Sequence, residues 1–271
     1  MLYVVKFGGG KEISLENIAD DFGKHRIPDQ QVIFGSGGGE YTSDRLIELT
    51  GKDWFVKTSS GKKTRYTPPE VLAIFSDEYK RIAQEFAILL NRHGICAAEY
   101  SGAENGLLIA AWEKILRYTD QGKRFVARDN LAGVVTDVDT FAIISALRKG
   151  ITPIIHPPAT GHDDEGNISP VNADGDISMA VVAYKMHADT YIMLTNVPGL
   201  LKDVNDLGSL IKKISKYKLA EYSSCAEGRM QRKIEAAQIA LSHGVRRVII
   251  ADGREPLPII GACQGYGTEI S

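Results

Sequence analysis

The chain has little net charge, few cysteines and no long apolar run, and each absence argues against a class of protein. Its 32 basic and 34 acidic residues leave a formal charge of −2, whereas a general nucleic-acid-binding protein would carry a strong basic excess. Cys96, Cys225 and Cys263 lie far apart without a CxxC pair, so we expect no disulfide framework or zinc site. No apolar run approaches the roughly 20 residues that span a bilayer.

The amino terminus, MLYVVKFGGG, carries neither a basic segment nor a long apolar segment. We therefore expect no signal peptide and a soluble, cytoplasmic protein. The 271 residues, of which 44% are hydrophobic, suffice for a large buried core. Length alone permits one large domain or two lobes.

Short apolar runs alternate with helical patterns along the chain. Strands are predicted at Leu2–Phe7, Gln31–Phe34, Thr152–Ile155, Thr190–Leu194 and Arg246–Ala251. Helices are predicted at Ser76–Gly94, Asp139–Lys149, Asp176–His187 and Arg232–His243. This alternation predicts a mostly parallel sheet with helices on both faces, in which ligands bind at the carboxyl ends of the strands. The polar segment Thr160–Ser169 is predicted to form a loop or a hairpin, and it is a candidate junction between two lobes.

Two glycine runs, Gly8–Gly10 and Gly37–Gly39, directly follow the first two predicted strands. Backbone N–H groups in such turns, followed by a helix, form anion sites that phosphate or carboxylate oxygens can reach. Neither run fits GxxxxGK[ST] or GxGxxG with its usual context, so a pair of tight strand-to-helix turns is the alternative. Lys6 lies just before the first run and favours the anion site, because phosphoryl transfer needs positioning and cationic stabilisation.

Seven motifs occur in order from end to end of the chain. They read VVKFGGG, GSGGGE, TRYT, NGLLIA, PVNADGD, TNVPGLL and GRMQRK. Together they resemble the amino-acid kinase family and, within it, the N-acetylglutamate kinases. The nearest resemblance is to the branch that phosphorylates aminoadipate or glutamate attached to the small acidic carrier protein LysW. The resemblance implies a three-layer α/β/α sandwich of residues 1–271, with an acceptor lobe at 1–170 and a nucleotide lobe at 171–271 that binds ATP with Mg²⁺.

The resemblance also assigns roles to individual residues. Lys6 and Lys233 match the two lysines that neutralise the transferring phosphoryl group, and Asp174 matches the aspartate that holds them in place. The acceptor site is implied at Gly38, Gly39, Arg65 and Asn172, with Arg65 gripping the α-carboxylate. The nucleotide site is implied at Gly8, Gly9, Thr195, Asn196, Val197, Gly199 and Met230. No side-chain metal site is expected.

The chemistry of this set is consistent with a carboxylate acceptor, which is already ionised at neutral pH and needs no general base. Two lysines, a magnesium ion and glycine N–H groups would neutralise the charge between this nucleophile and ATP. The leading hypothesis is a kinase that makes an acyl phosphate on the side-chain carboxylate of LysW-linked aminoadipate, glutamate or both. The alternatives are N-acetylglutamate kinase of arginine synthesis and a nucleotide-binding regulatory module without turnover.

Several positions depart from the family pattern. Asn196 replaces an aspartate of the nucleotide loop, and Arg229 replaces a glycine before the second lysine. Arg229 would either contact phosphate or point outward, and we favour the outward orientation. Pro170 stands where acetylglutamate kinases often carry an asparagine, and with Tyr66 it resembles the LysW-dependent branch.

The segment Lys57–Tyr66 predicts a basic β-hairpin that includes Lys62 and Lys63. Composition alone favours an ordinary solvated turn. The resemblance instead implies that the hairpin is a docking site for an acidic carrier protein. No long helix precedes the first strand, and by resemblance we expect a homodimer.

Overall fold

The two glycine runs emerge from adjacent strands in the middle of an eight-stranded sheet. The computed structural model describes residues 1–25, 30–59, 61, 63–120, 122–225 and 228–271. The sheet consists of β1 (Leu2–Phe7), β2 (Gln31–Ser36), β5 (Ala97–Ser101), β10 (Thr152–His156), β13 (Thr190–Thr195), β14 (Lys213–Ile214), β15 (Arg247–Asp252) and β16 (Thr268–Ile270). Their order is β14-β16-β15-β13-β1-β2-β10-β5, and only the β15–β16 pair is antiparallel.

Helices cover both faces of this sheet. One face packs on α1 (Leu15–Lys24), α3 (Pro69–Arg92) and α7 (Pro258–Cys263), and the other on α4 (Thr140–Arg148), α5 (Gly175–Lys185) and α6 (Arg229–Ser242). Strand β1 is buried on both faces: Val5 and Phe7 join the first layer, whereas Val4 joins the second. Side chains alternate along a strand, so Lys6 faces the α5 side with Val4. This three-layer α/β/α sandwich confirms the predicted fold class.

A four-stranded barrel lies between β5 and α5 in the chain. It is formed by β6 (Leu108–Trp112), β9 (Ala132–Val138), β11 (Ala159–His162) and β12 (Ile168–Ala173). Strands β11 and β12 pair antiparallel, so the segment predicted as a loop or a hairpin is a hairpin. Strand β12 runs directly into α5 and carries the PVNADGD motif to the centre of the molecule.

A second, antiparallel sheet has the order β4-β3-β7-β8. Its strands are β3 (Phe55–Thr58), β4 (Lys63–Arg65), β7 (Leu116–Asp120) and β8 (Lys123–Ala127). Strands β3 and β4 form the predicted basic hairpin, in which Lys62 lies outside the described residues. Helix α2 (Gly39–Thr50) packs beside α3, and 3₁₀ segments occur at Glu104–Gly106, Leu207–Ser209 and Lys216–Cys225.

Most predicted elements agree with the structure to within three residues at each end, and α3 is the main exception. It begins at Pro69, seven positions before the predicted start, because a proline fits the first turn of a helix, where its missing N–H is not needed. In the described part of the chain, no helix has both the length and the apolar character required to cross a bilayer.

Candidate active site

A cleft of about 700 Å³ opens where the central parallel strands end. This is where open α/β sheets bind their ligands. Of the residues predicted from the sequence, its wall holds Lys6, Lys233, Asp174, Gly38, Gly39, Arg65, Asn172, Gly8, Gly9, Thr195 and Asn196. Tertiary folding therefore brings residues from the first strand to the sixth helix together around one cavity.

Three further residues predicted for the nucleotide site do not line the cleft in the described part of the chain: Val197, Gly199 and Met230. Gly199 has a φ of +153°, and a Cβ there would lie 2.6 Å from the Thr268 hydroxyl. Glycine is therefore required at position 199 because the backbone there lies close to β16. Met230 packs against the core on the α5 side of the sheet.

Two buried lysines reach the same carboxylate in this cleft. The Nζ atoms of Lys6, on β1, and Lys233, in the second turn of α6, lie 2.9 and 2.8 Å from the two carboxylate oxygens of Asp176. None of the three residues is more than 7% exposed. Burial opposes the charge of Asp176, but the ammonium groups of Lys233 and Lys6 hold the pKa of Asp176 well below its usual value. Burial lowers the pKa of Lys233, and Asp176 opposes that shift.

The carboxylate that joins the lysines is Asp176 and not Asp174, which corrects the expectation from the sequence. Asp174 is the N-cap of α5, and its Oδ1 accepts hydrogen bonds from the backbone N–H groups of Asp176 and Ile177 at 3.0 Å. Burial and the nearby charge of Asp176 raise the pKa of Asp174. The only sequence signal for Asp176 is the second aspartate of the NADGD motif.

The two glycine runs touch each other at the cleft. A Cβ on Gly9 would overlap the backbone of Gly37 and Gly38, and a Cβ on Gly39 would lie 2.6 Å from the Gly9 carbonyl oxygen. Gly39 also has a φ of +47°, which glycine adopts at low cost. The backbone N–H of Glu40 donates to the Gly9 carbonyl at 2.7 Å. These glycines are therefore needed first for the close approach of two loops, and that approach places both loops beside Lys6.

Arg65 is clamped in the cleft between two aromatic rings. Its guanidinium lies 4.2 Å from the ring centre of Phe55 and 5.0 Å from that of Phe75, and Nη2 donates to the Ser43 hydroxyl at 3.0 Å. Burial lowers the pKa of Arg65, although a guanidinium stays charged in proteins. A partly desolvated, planar cation of fixed orientation suits a carboxylate ligand.

Tyr79 fixes the side chain of Asn172. The buried Tyr79 hydroxyl donates to Asn172 Oδ1 at 3.1 Å, and burial raises the pKa of Tyr79, so the phenol remains a donor. With Oδ1 engaged, the Asn172 amide nitrogen is left to donate to a ligand in the cleft. Tyr79 was not predicted for the site from the sequence, because its position fits the apolar face of α3 equally well.

Comparisons with known proteins identify the family of this chain. A sequence profile of the amino acid kinase family matches residues 1–252. The chain is 31% identical to a LysW-aminoadipate kinase from Thermus thermophilus, over 99% of this chain and 100% of the relative. It is 30% identical to an acetylglutamate kinase from Desulfitobacterium hafniense, over 95% and 85%. Carbamate kinase from Giardia has the same fold, with a TM-score of 0.71, 15% identity, and coverage of 99% of this chain and 98% of that chain. The chain belongs to the amino acid kinase family.

Proposed function

We propose that this protein is an ATP-dependent kinase that converts the side-chain carboxylate of an amino-blocked acidic amino acid to an acyl phosphate. The observation that carries the proposal is the pair of buried ammonium groups, Lys6 and Lys233, held on one carboxylate in a cleft bordered by two glycine runs. Such a site supplies positive charge where an anionic acceptor meets an anionic phosphate.

In this proposal, residues 1–170 hold the acceptor and residues 171–271 hold most of the nucleotide. Arg65 binds the acceptor, and Asn172 reaches it from the nucleotide lobe. Gly8 and Gly9 of the acceptor lobe approach ATP together with the loop after β13. One oxygen of the acceptor carboxylate attacks the γ-phosphorus, and the bond to the β-phosphate oxygen breaks as the new bond forms. ADP leaves with that electron pair, and no proton has to move. Lys6 and Lys233 neutralise the charge that builds up between the two anions.

Membership of the kinase family implies ATP, and we propose that Mg²⁺ accompanies it. Within the described residues, no three potential metal-ligating side chains cluster together. This is compatible with Mg²⁺, which often binds through phosphates, water and only one or two carboxylates. Asp174 lines the cleft and would be one such carboxylate ligand, because both carboxylate oxygens of Asp176 contact lysines. Such an ion would offset the phosphate charge during transfer.

The second sheet supports a carrier-linked acceptor. Directly opposed residues of an antiparallel pair lie on the same face of the sheet. Lys57 is opposite Lys63 on one neighbouring strand and opposite Thr119 on the other. Thr119 is in turn opposite Arg124. One face therefore carries the basic residues Lys57, Lys63, Arg65, Arg117 and Arg124, and none of its strand residues is acidic. In a chain of net charge −2, this cationic face leads from the acceptor side of the cleft to solvent. It fits an acidic carrier, and we propose LysW-linked aminoadipate or glutamate as the substrate of a cytoplasmic homodimer.

The decisive experiment measures ADP release with LysW-linked aminoadipate, LysW-linked glutamate and free N-acetylglutamate as acceptors. We expect turnover with at least one carrier-linked acceptor and much slower turnover with acetylglutamate. Preference for acetylglutamate would assign the protein to arginine synthesis without a carrier. ATP binding without turnover of any acceptor would identify a regulatory module.

The cationic face predicts a salt-dependent reaction. Lys57→Gln with Arg124→Gln should lower kcat/KM for the carrier-linked acceptor by about ten-fold at low salt, because surface charge steers an acidic partner to the site. Added salt should reduce the wild-type rate, since exposed charges are screened beyond about 8–10 Å near physiological ionic strength. The rate of the variant should respond less to salt. The rate with acetylglutamate should change little with either the double substitution or the added salt.

Lys123→Gln is the matched control, because Lys123 neighbours Arg124 on β8 but lies on the opposite face. It should leave the carrier reaction within two-fold of wild type, as expected for an exposed residue off the docking face. Equal rates for the double variant and the wild type at low salt would contradict carrier docking on this face.

Arg65→Ala should act mainly on acceptor binding. The bidentate contact of a guanidinium with a carboxylate exists in the ground state as well as in the transition state. Its loss should raise the acceptor KM by about ten-fold or more, as expected for a charged hydrogen bond, and change the KM for ATP little. Steady-state kinetics with each substrate varied in turn would measure both values. Weaker ATP binding with an unchanged acceptor KM would contradict the assignment of Arg65 to the acceptor site.

A further inference from the structure

Arg229 stands on the same cleft wall as the two lysines but makes none of their contacts. It is the first residue of α6, four positions before Lys233. Residues four apart lie on one face of a helix, so both cations are presented from the same side. The Arg229 side chain is 68% exposed, whereas that of Lys233 is 7% exposed. The exposed orientation favoured from the sequence is therefore also an orientation at the mouth of the cleft.

The partner of Arg229 is a carboxylate held by the first glycine loop. Arg229 Nη1 lies 3.8 Å from Glu40 Oε1, and Glu40 Oε2 accepts a hydrogen bond from the backbone N–H of Lys11 at 3.2 Å. Glu40 thus spans from the start of α2 to a backbone donor two residues beyond Gly9. A long, solvent-exposed ion pair of this kind holds its members weakly. Arg232, by contrast, is engaged by Glu235 at 2.7 Å.

A phosphoryl group would be a stronger partner for these donors than Glu40 is. A backbone N–H of a glycine loop and a guanidinium together are donors that commonly bind phosphate oxygens. A carboxylate already sits between them, which shows that the space accepts an anion. Arg229 is also close enough to Arg65 for its charge to add to the lowering of the Arg65 pKa, which burial dominates. Arg229 and Arg65 line the same cleft.

We infer that Arg229 is a further catalytic residue, which exchanges Glu40 for the γ-phosphoryl oxygens when ATP occupies the cleft. The inference rests on the proposed kinase function and adds a third cation to Lys6 and Lys233. Glu40 acts as the resting counterion of Arg229. The exchange forms and breaks only ionic and hydrogen-bonding contacts, so it requires no other reactant.

The test compares ligands that differ only in the γ-phosphate. Binding of ADP and of a non-hydrolysable ATP analogue, each with Mg²⁺, is measured by calorimetry on the full chain. Arg229→Met should weaken analogue binding at least five-fold and leave ADP binding within two-fold of wild type. Glu40→Gln removes the competing carboxylate and should leave analogue binding unchanged or tighter. Arg45→Met, which alters an exposed arginine on α2 paired with Glu48, should change neither ligand.

Weaker analogue binding in Arg229→Met, together with unchanged or tighter binding in Glu40→Gln, is the signature of the exchange. If Arg229→Met binds both ligands as the wild type does, the inference is overturned. It is also overturned if Glu40→Gln weakens analogue binding as much as Arg229→Met, because the ion pair would then be a structural link. In both cases a wild type that binds ATP leaves the proposed function standing. A wild type that binds neither nucleotide would overturn the proposed function, and this inference with it.

Discussion

Lys6→Ala and Lys233→Ala are each expected to lower kcat by about 100-fold or more, a few kcal/mol of barrier. Both ammonium groups are buried and converge on one point of the cleft. Their charge is therefore little screened and is worth most where negative charge concentrates in the transition state. The acceptor KM should change far less, because the loss falls on the transition state and not on the bound acceptor. Steady-state ADP release would measure both constants.

Lys185→Ala provides the control for loss of a lysine. Lys185 ends α5 and pairs with Asp137 at the surface, so its removal should leave kcat within about two-fold of wild type. Near-normal kcat in either Lys6→Ala or Lys233→Ala would remove that lysine from the transfer step. Circular dichroism of each variant would establish that a lost rate does not reflect a lost fold.

Asp176→Asn should destabilise the fold strongly and Asp174→Asn only slightly, because Asp176 and not Asp174 is the counterion of the two buried lysines. Removing one partner of a buried ionic cluster commonly costs about 3–5 kcal/mol, because the remaining charges stay buried. Two ammonium groups would lose their counterion in Asp176→Asn, so both its free energy of unfolding and its kcat should fall. Asparagine caps helices as well as aspartate does, so Asp174→Asn should change the free energy of unfolding by less than about 1 kcal/mol. Urea unfolding would measure both.

The same pair of variants differs in the pH dependence of kcat. Burial already lowers the pKa of Lys233, and Asp176 opposes that shift. Without the carboxylate the pKa of Lys233 falls further, so Lys233 loses its proton at a lower pH. The charge of Asp174 also raises the pKa of Lys233, but less than Asp176 does, so the decline of kcat at high pH should begin at a clearly lower pH in Asp176→Asn and move less in Asp174→Asn. A larger displacement in Asp174→Asn than in Asp176→Asn would restore Asp174 as the residue that holds the lysines.

The layered fold and the kind of chemistry could be predicted from the sequence, because both depend on local patterns. Strand β1 was predicted at its observed bounds, since a short apolar run ending in glycines is a local signal. Lys6 and the two glycine runs had to meet at one edge, because β1 and β2 are adjacent parallel strands. The family and its kinase activity followed from seven ordered motifs, and the comparisons confirm both.

Tertiary structure alone decided which side chains meet. Asp174 and Asp176 are two residues apart and chemically identical, but the start of α5 uses one as a cap and directs the other to the lysines. The cationic face depends on the register between two hairpins, and a shift of one residue would move each basic side chain to the opposite face. Glu40 and Arg229 are far apart in sequence and meet only because the glycine loops pack together. Contacts of this kind are set by how distant segments pack, and no local pattern records them.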